Sequence, residues 1–254
     1  MSQRLPPHPT LSTDEVRGEG KKCSLVVLAS GRGSNFAALV GAQQGGELAI
    51  DIRALLSDKR TAPALLLAEN ADIAAVALRP RDYPDRLSFD RALFARAAEF
   101  SPDLIVLAGY MRIIDSAVVN EWHGRMINIH PSLLPKYPGL DTHARALGAG
   151  DSVHGASVHF VTAELDGGPV IAQVELPVLA GDTPDALASR LIALEHRLLI
   201  ATVDLIAQRR VALVDGRIRF DGKALASPLR LDAKGRLNQA QPQEPTSPDP
   251  LPRR

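Results

Sequence analysis

The chain has one cysteine, no net charge and no long apolar run, and each shortage removes a class of protein. Cys23 alone cannot close an intrachain disulfide, so no covalent staple holds the fold, which fits a reducing compartment. No neighbouring motif activates its thiol, and it reads as a small buried hydrophobe just ahead of the first strand. With 29 Lys plus Arg against 29 Asp plus Glu, no global field draws nucleic acid or an anionic membrane. Neither is an expected partner, and any anion has to be bound locally. No segment approaches the roughly 18 apolar residues of a membrane span. Residues 1–22 carry prolines and charges without the apolar centre of a signal peptide, which points to the cytoplasm. There is no internal repeat. A Gly-x-Ser-x-Gly elbow and a Cys-His pair are both missing, so no covalent nucleophile is expected and one substrate must attack the other directly. His143, His154, His159 and His196 are not spaced with carboxylates as metal ligands are, and no metal is expected.

What remains is a core-forming chain, 45% apolar over 254 residues. Short apolar runs at 24–29, 50–56, 74–78, 104–108 and 126–129 read as strands. Stretches of helical period at 35–44, 62–70, 88–100 and 115–121 lie between them. This order predicts an α/β fold of Rossmann-like class, a mostly parallel twisted sheet flanked by helices. Strands at 156–161 and 170–178, joined through Gly167-Gly168, add antiparallel pairing in the C-terminal half. Thr183 reads as the N-cap of a long closing helix with Pro184 at its first position and an apolar stripe from Leu187 to Ile206. A weak hairpin spans 211–219. The expected organisation is an N-terminal extension over 1–22, a single catalytic domain over 23–220 and a tail over 221–254. The tail holds five prolines beyond residue 240, and both ends are expected to be disordered.

The chemistry concentrates in Asn128-Ile129-His130-Pro131-Ser132-Leu133-Leu134-Pro135-Lys136-Tyr137-Pro138-Gly139. Asn128 and His130 stand two residues apart at a strand end, so both point to one face, and three prolines then forbid helix. An amide donor beside an acid–base group suits a carbonyl that turns tetrahedral and anionic. The turn Ser30-Gly31-Arg32-Gly33-Ser34-Asn35 opens the first helix, where exposed N–H groups favour an anion. It is not a dinucleotide fingerprint, because Phe36 stands where the third glycine belongs, and it lacks the Lys-Ser/Thr pair of a P-loop. The turn serves equally as a tight structural turn or a phosphate site, and the side-chain donors of Ser34 and Asn35 favour the phosphate of a mononucleotide-like substrate. Asp166, just before Gly167-Gly168, is preferred to Glu164 as the carboxylate that sets the charge or tautomer of His130. Met111, Ile113 and Ile114 follow the fourth strand at the ligand-binding edge of the sheet, but residue type alone places them in the core.

These segments, with His154-Gly155, Ser157-Val158-His159-Phe160-Val161 and Glu164-Leu165-Asp166-Gly167-Gly168-Pro169-Val170-Ile171, closely resemble the phosphoribosylglycinamide formyltransferases of purine biosynthesis, from about Leu25 to Arg210. The resemblance implies a 10-formyltetrahydrofolate co-substrate and glycinamide ribonucleotide as acceptor. It implies that Asn128 and His130 stabilise the oxyanion, with His130 as general acid, while Asp166 keeps His130 protonated and helps move protons through water. Gly33, Ser34 and Asn35 would hold the phosphate, with Ile192 and Glu195 near the ribose or glycinamide end. The folate site would comprise Arg86, Met111, Arg112, Ile113, Ile114, Asn128, Thr162, Ala163, Glu164, Leu165 and Asp166, which moves the 111–114 segment from core to ligand contact. Asp141, Ala163 and Ile192 depart from the family's usual residues. Two folate-using relatives share the Asn-x-His shelf. A methionyl-tRNA formyltransferase would add a basic domain, and a formyltetrahydrofolate deformylase a regulatory domain ahead of the shelf. A nicotinamide-dependent oxidoreductase or a non-catalytic nucleotide-binding module would use only the glycine turn. The expected assembly is a monomer or homodimer.

Overall fold

The first apolar run forms β1 (Cys23–Leu28), buried along its whole length as a central parallel strand has to be. We describe the chain from a computed structural model covering residues 22–239. Four strand–helix units follow: α1 (Ser34–Gln44) to β2 (Ile50–Ser57), α2 (Pro63–Asn70) to β3 (Ala74–Ala77), α3 (Arg86–Ala98) to β4 (Leu104–Leu107), and α4 (Ser116–Glu121) to β5 (Met126–His130). Local chemistry sets the boundaries. Asp85 caps α3 by accepting from the Ser88 N–H, and Asp115 caps α4 by accepting from the Ala117 N–H. After β5 come α5 (Thr142–Gly148), β6 (Val153–Phe160), β7 (Val170–Pro177) and α6 (Pro184–Ala207). The predicted Thr183 cap accepts from the Ala186 N–H at 3.2 Å.

The main sheet has the order β3-β2-β1-β4-β5-β6-β7 with two further strands beyond β7. β1 to β5 pair in parallel, and β5–β6 and β6–β7 pair antiparallel, as expected for the C-terminal half. Strand order reverses between β1 and β4, and open α/β sheets bind ligands at the carboxyl ends beside such a reversal. Ile127, Ile129, Val158 and Phe160 face a core shared with Leu191, Leu198 and Leu199 of α6. The α3–α4 side has its own core around Phe89, Phe94 and Trp122. Because successive residues alternate faces, Asn128, His130, Ser157 and His159 turn away from α6. Register confirms one polar face, with Asn128 opposite His159, His130 opposite Ser157, and Ser157 opposite Gln173.

β8 (Val211–Val214) and β9 (Arg217–Phe220) form the expected hairpin, and Asp215 and Gly216 both take the positive φ of a tight primed turn. β10 (Lys223–Ala224) pairs with β9. The domain does not end at residue 220: β11 (Leu229–Leu231) adds to the β7 edge in parallel, and β12 (Leu237–Asn238) pairs with β11. Leu229 is fully buried there, so its apolar side chain ties the expected tail into the sheet. Residues 1–21 and 240–254, where disorder was expected, lie outside the described residues. Among the described residues no helix is long and apolar enough to cross a membrane.

Candidate active site

A cavity of about 460 Å³ opens at the carboxyl ends of β4 and β5. Its wall comes from the segment after β4, the end of β5, the loop from Pro131 to His143, and the turn after β6. Gly109, at φ 79°, bends the chain out of β4, and the buried Ser30 hydroxyl accepts from the Met111 N–H at 2.9 Å while donating to Asp58 at 2.6 Å. This holds the 109–114 segment against the first βα turn. Met111 and Ile113 are 63% and 54% exposed, and Leu140 and Leu165 are exposed at 71% and 50%, so exposed apolar side chains line the mouth. The core placement read from residue type alone holds only for Ile114, which is buried while still lining the cavity. Arg112, Asn128, Thr162, Ala163, Glu164, Leu165 and Asp166 line the cavity. Arg86 does not line it; its guanidinium lies 3.7 Å from Asp115 at the start of α4.

At the inner end the three polar residues meet. His130 Nδ1 lies 3.5 Å from Asp166 Oδ2, and Asn128 Nδ2 donates to Asp166 Oδ1 at 3.4 Å. Asp166 holds this position in a left-handed backbone, φ 50°, that Asp tolerates better than most residues, and its Oδ2 accepts from the Gly139 N–H at 2.8 Å. Burial would raise its carboxyl, but bonds from His159 and Gly139 and the nearby imidazoles outweigh that and hold it below the ordinary carboxylate range. The expectation that Asp166 keeps His130 charged meets a stronger opposing effect. Burial pushes the imidazole below its ordinary value, and the Tyr137 carbonyl and Asp166 offset only part of this.

Three partners of this set escaped the sequence reading. His159 on β6 sits 3.1 Å from Asn128 Nδ2 and 3.6 Å from Asp166 Oδ1. The Tyr137 carbonyl lies 2.9 Å from His130 Nε2, and the Gly139 N–H grips Asp166. The alternation of Ser157 and His159 was a usable signal, but only the register of β6 on β5 turns it into a contact. The two backbone groups leave no trace in residue types.

The glycine turn that opens α1 lies apart from this cavity's lining. Gly33 caps α1 in a left-handed conformation, φ 79°, without a side-chain cap, so the first N–H groups of the helix stay available to a ligand. Asn35 Nδ2 donates to Glu195 Oε2 at 3.2 Å, and Asn35 Oδ1 is buried with no protein partner. Burial raises the Glu195 carboxyl, with the Asn35 bond opposing. Ile192 lies one turn before Glu195 on α6. A Cβ on Gly33 would meet Ala64 Cβ at 2.7 Å. Gly33→Ala is therefore expected to cost about 2 kcal/mol, from left-handed strain and overpacking, and to raise the KM of a phosphorylated substrate more than it lowers kcat. Urea titration and steady-state kinetics check this, and unchanged stability would contradict it.

Beside the loop, His143 Nδ1 and His154 Nε2 stand 3.0 Å apart. Burial, then the neighbouring His143, takes His154 down to about 4, and burial lowers His143 as well. The unfolded chain takes up these protons from about pH 6.5, whereas folded His154 resists until about 4. Stability is thus complete above pH 6.5 and falls as pH drops through that window, by on the order of 2 kcal/mol. Urea midpoints at pH 7 and 5 test this; equal midpoints would contradict it. Among the described residues no group of three or more His, Cys, Asp or Glu is placed to hold a metal ion.

The family profile described as Formyl transferase matches residues 23–203. The phosphoribosylglycinamide formyltransferase of Escherichia coli K12 is 44% identical over 202 residues, covering 80% of this chain and 95% of that one. A solved phosphoribosylglycinamide formyltransferase from Coxiella burnetii superposes with a TM-score of 0.78 at 45% identity, covering 81% of this chain and 97% of the other. A formyltetrahydrofolate deformylase from Pseudomonas putida KT2440 is similar at a TM-score of 0.72, but at 27% identity, covering 81% of this chain and 72% of that one. The chain is an enzyme of the formyl transferase family and, within it, belongs to the phosphoribosylglycinamide formyltransferases.

Proposed function

We propose that this enzyme transfers the formyl group of 10-formyltetrahydrofolate to the amine of N1-(5-phospho-D-ribosyl)glycinamide, giving the N2-formyl product and tetrahydrofolate, a step of purine (IMP) biosynthesis. The observation that carries the reading is the convergence of Asn128, His130 and Asp166 on one cavity with an apolar mouth. The apolar ring at Met111, Ile113, Leu140 and Leu165 suits the flat pterin of a folate, and the formyl carbon then lies at the polar inner end. Gly33, Ser34 and Asn35 take the phosphate on the uncapped start of α1, while Glu195 and the unpartnered Asn35 Oδ1 receive hydroxyl or amine donors of the acceptor.

The amine attacks the formyl carbon, and the carbonyl oxygen becomes an oxyanion. Asn128 Nδ2 donates to it together with the His130 Nδ1–H, whose 3.5 Å separation from Asp166 is too long for a normal hydrogen bond. With Nε2 bonded to the Tyr137 carbonyl, only the imidazolium keeps a second N–H for the oxyanion, with the Asp166 carboxylate nearby to favour its charge. Burial disfavours that charge until the oxyanion develops beside it, so the interaction is strongest in the transition state, where it lowers the barrier. Asp166 takes the proton shed by the attacking amine through water, and His130 returns one to the departing folate nitrogen. The enzyme works in the cytoplasm, as a monomer or homodimer.

Omitting the amine acceptor tests the reading. Tetrahydrofolate is expected to form only when both substrates are present, and rapid release without the acceptor would instead indicate hydrolysis, the reaction of a deformylase.

A further inference from the structure

Behind the site, β5, β6 and β7 carry one transverse row of polar residues, His130, Ser157 and Gln173, each opposite the next in register. Ser157 and Gln173 are buried and reach no cavity lining. Their hydrogen bonds are fully determined. The Ser157 hydroxyl donates to the Ser132 carbonyl at 2.7 Å and accepts from the Leu134 N–H and from Gln173 Nε2, both at 3.0 Å. One donation and two acceptances exhaust it. Gln173 Nε2 spends its two hydrogens on Ser157 and on the Leu134 carbonyl at 2.9 Å. The amide orientation therefore cannot be reversed, because an oxygen in that place would face the Leu134 carbonyl oxygen. Ser132 passes the restraint forward by donating to the Lys136 carbonyl at 2.6 Å. The next peptide's carbonyl, that of Tyr137, bonds His130, and two residues on the Gly139 N–H bonds Asp166.

We infer that Gln173 is a positioning residue for formyl transfer: through Ser157 and the Ser132–Lys136 turn it fixes the two backbone groups that aim His130 and Asp166. The inference rests on the catalytic reading of those two residues. A side chain remote from the substrates thereby governs the geometry of the acid and the carboxylate, and a shift of about 1 Å in such groups costs about 10² in rate. Glu at 173 keeps the shape but presents an oxygen to the Leu134 carbonyl until it is protonated, and burial raises the pH at which that occurs.

The test compares the full-length wild type with Gln173→Met, Gln173→Glu and His130→Ala, using steady-state kinetics across pH and nitrogen-15 NMR titration of the imidazoles. Gln173→Met is expected to lower kcat by about 10², leave KM for both substrates within about threefold, about 0.6 kcal/mol of binding, and displace the His130 titration. The activity of Gln173→Glu relative to wild type is expected to rise as pH falls, and this shape-preserving variant decides the matter if Gln173→Met does not fold. A folded Gln173→Met with wild-type kcat and an unmoved His130 titration overturns the positioning role, as does a pH-independent activity ratio for Gln173→Glu. Wild-type turnover in His130→Ala overturns the catalytic reading instead, so the two failures are distinct.

Discussion

His130→Ala is expected to lower kcat by about 10²–10⁴ while the protein stays folded, the range typical for loss of a positioned acid–base group. The side chain sits at the end of β5 on the polar face, away from the apolar side shared with α6, so its truncation opens no gap in that core. What disappears is the donor proposed for the developing oxyanion, together with the one group that stands between the Tyr137 carbonyl and Asp166. KM for the acceptor should change little, because the turn at Gly33, proposed to hold its phosphate, is separate from the cavity lining. Near-wild-type kcat in a folded variant would remove His130 from the chemistry.

Asp166→Asn is expected to cost about 10² or more in kcat for a different reason. Asn accepts the left-handed backbone at this position, so the turn before Gly167 persists. The carboxylate, however, accepts on both oxygens, from the Gly139 N–H and from Asn128 Nδ2. Whichever way an amide is placed, its NH₂ group confronts one of these donors, and an unmatched buried donor costs about 1–3 kcal/mol. The charge that favours protonated His130 is lost as well, so the imidazole should titrate still lower than in the wild type, where burial already lowers it. An unmoved His130 titration in Asp166→Asn would mean that the carboxylate does not act on the imidazole.

The parallel half of the sheet was legible because buried strands are apolar on both faces, as in Leu25–Leu28 and Leu104–Leu107, and because Asp115 and Thr183 mark helix starts with their side chains. α5 was not legible. It follows three prolines, spans seven residues, and starts from Asp141 in a left-handed conformation without a side-chain cap bond. β10, β11 and β12 are two or three residues long, too short to show a period, and β11 is held to β7 by the burial of Leu229 and the Arg230–Glu175 ion pair, neither of which a local pattern reveals. At the site, Asn128 and His130 were visible because a strand places alternate residues on one face. Asp166 was visible because a glycine pair follows it. His159, Ser157 and Gln173 depend on registers between β5, β6 and β7, a relation between segments that no local pattern carries. Arg86, which motif resemblance puts in the folate site, starts α3 outside the cavity lining, with its guanidinium 3.7 Å from the capping carboxylate of α4.

The fate of the formyl carbon tests the central claim most directly. With carbon-13 in the formyl group of 10-formyltetrahydrofolate and glycinamide ribonucleotide present, the account predicts that the label moves into the N-formyl amide of the acceptor at the rate tetrahydrofolate appears. Label accumulating as free formate, at that same rate, would contradict it.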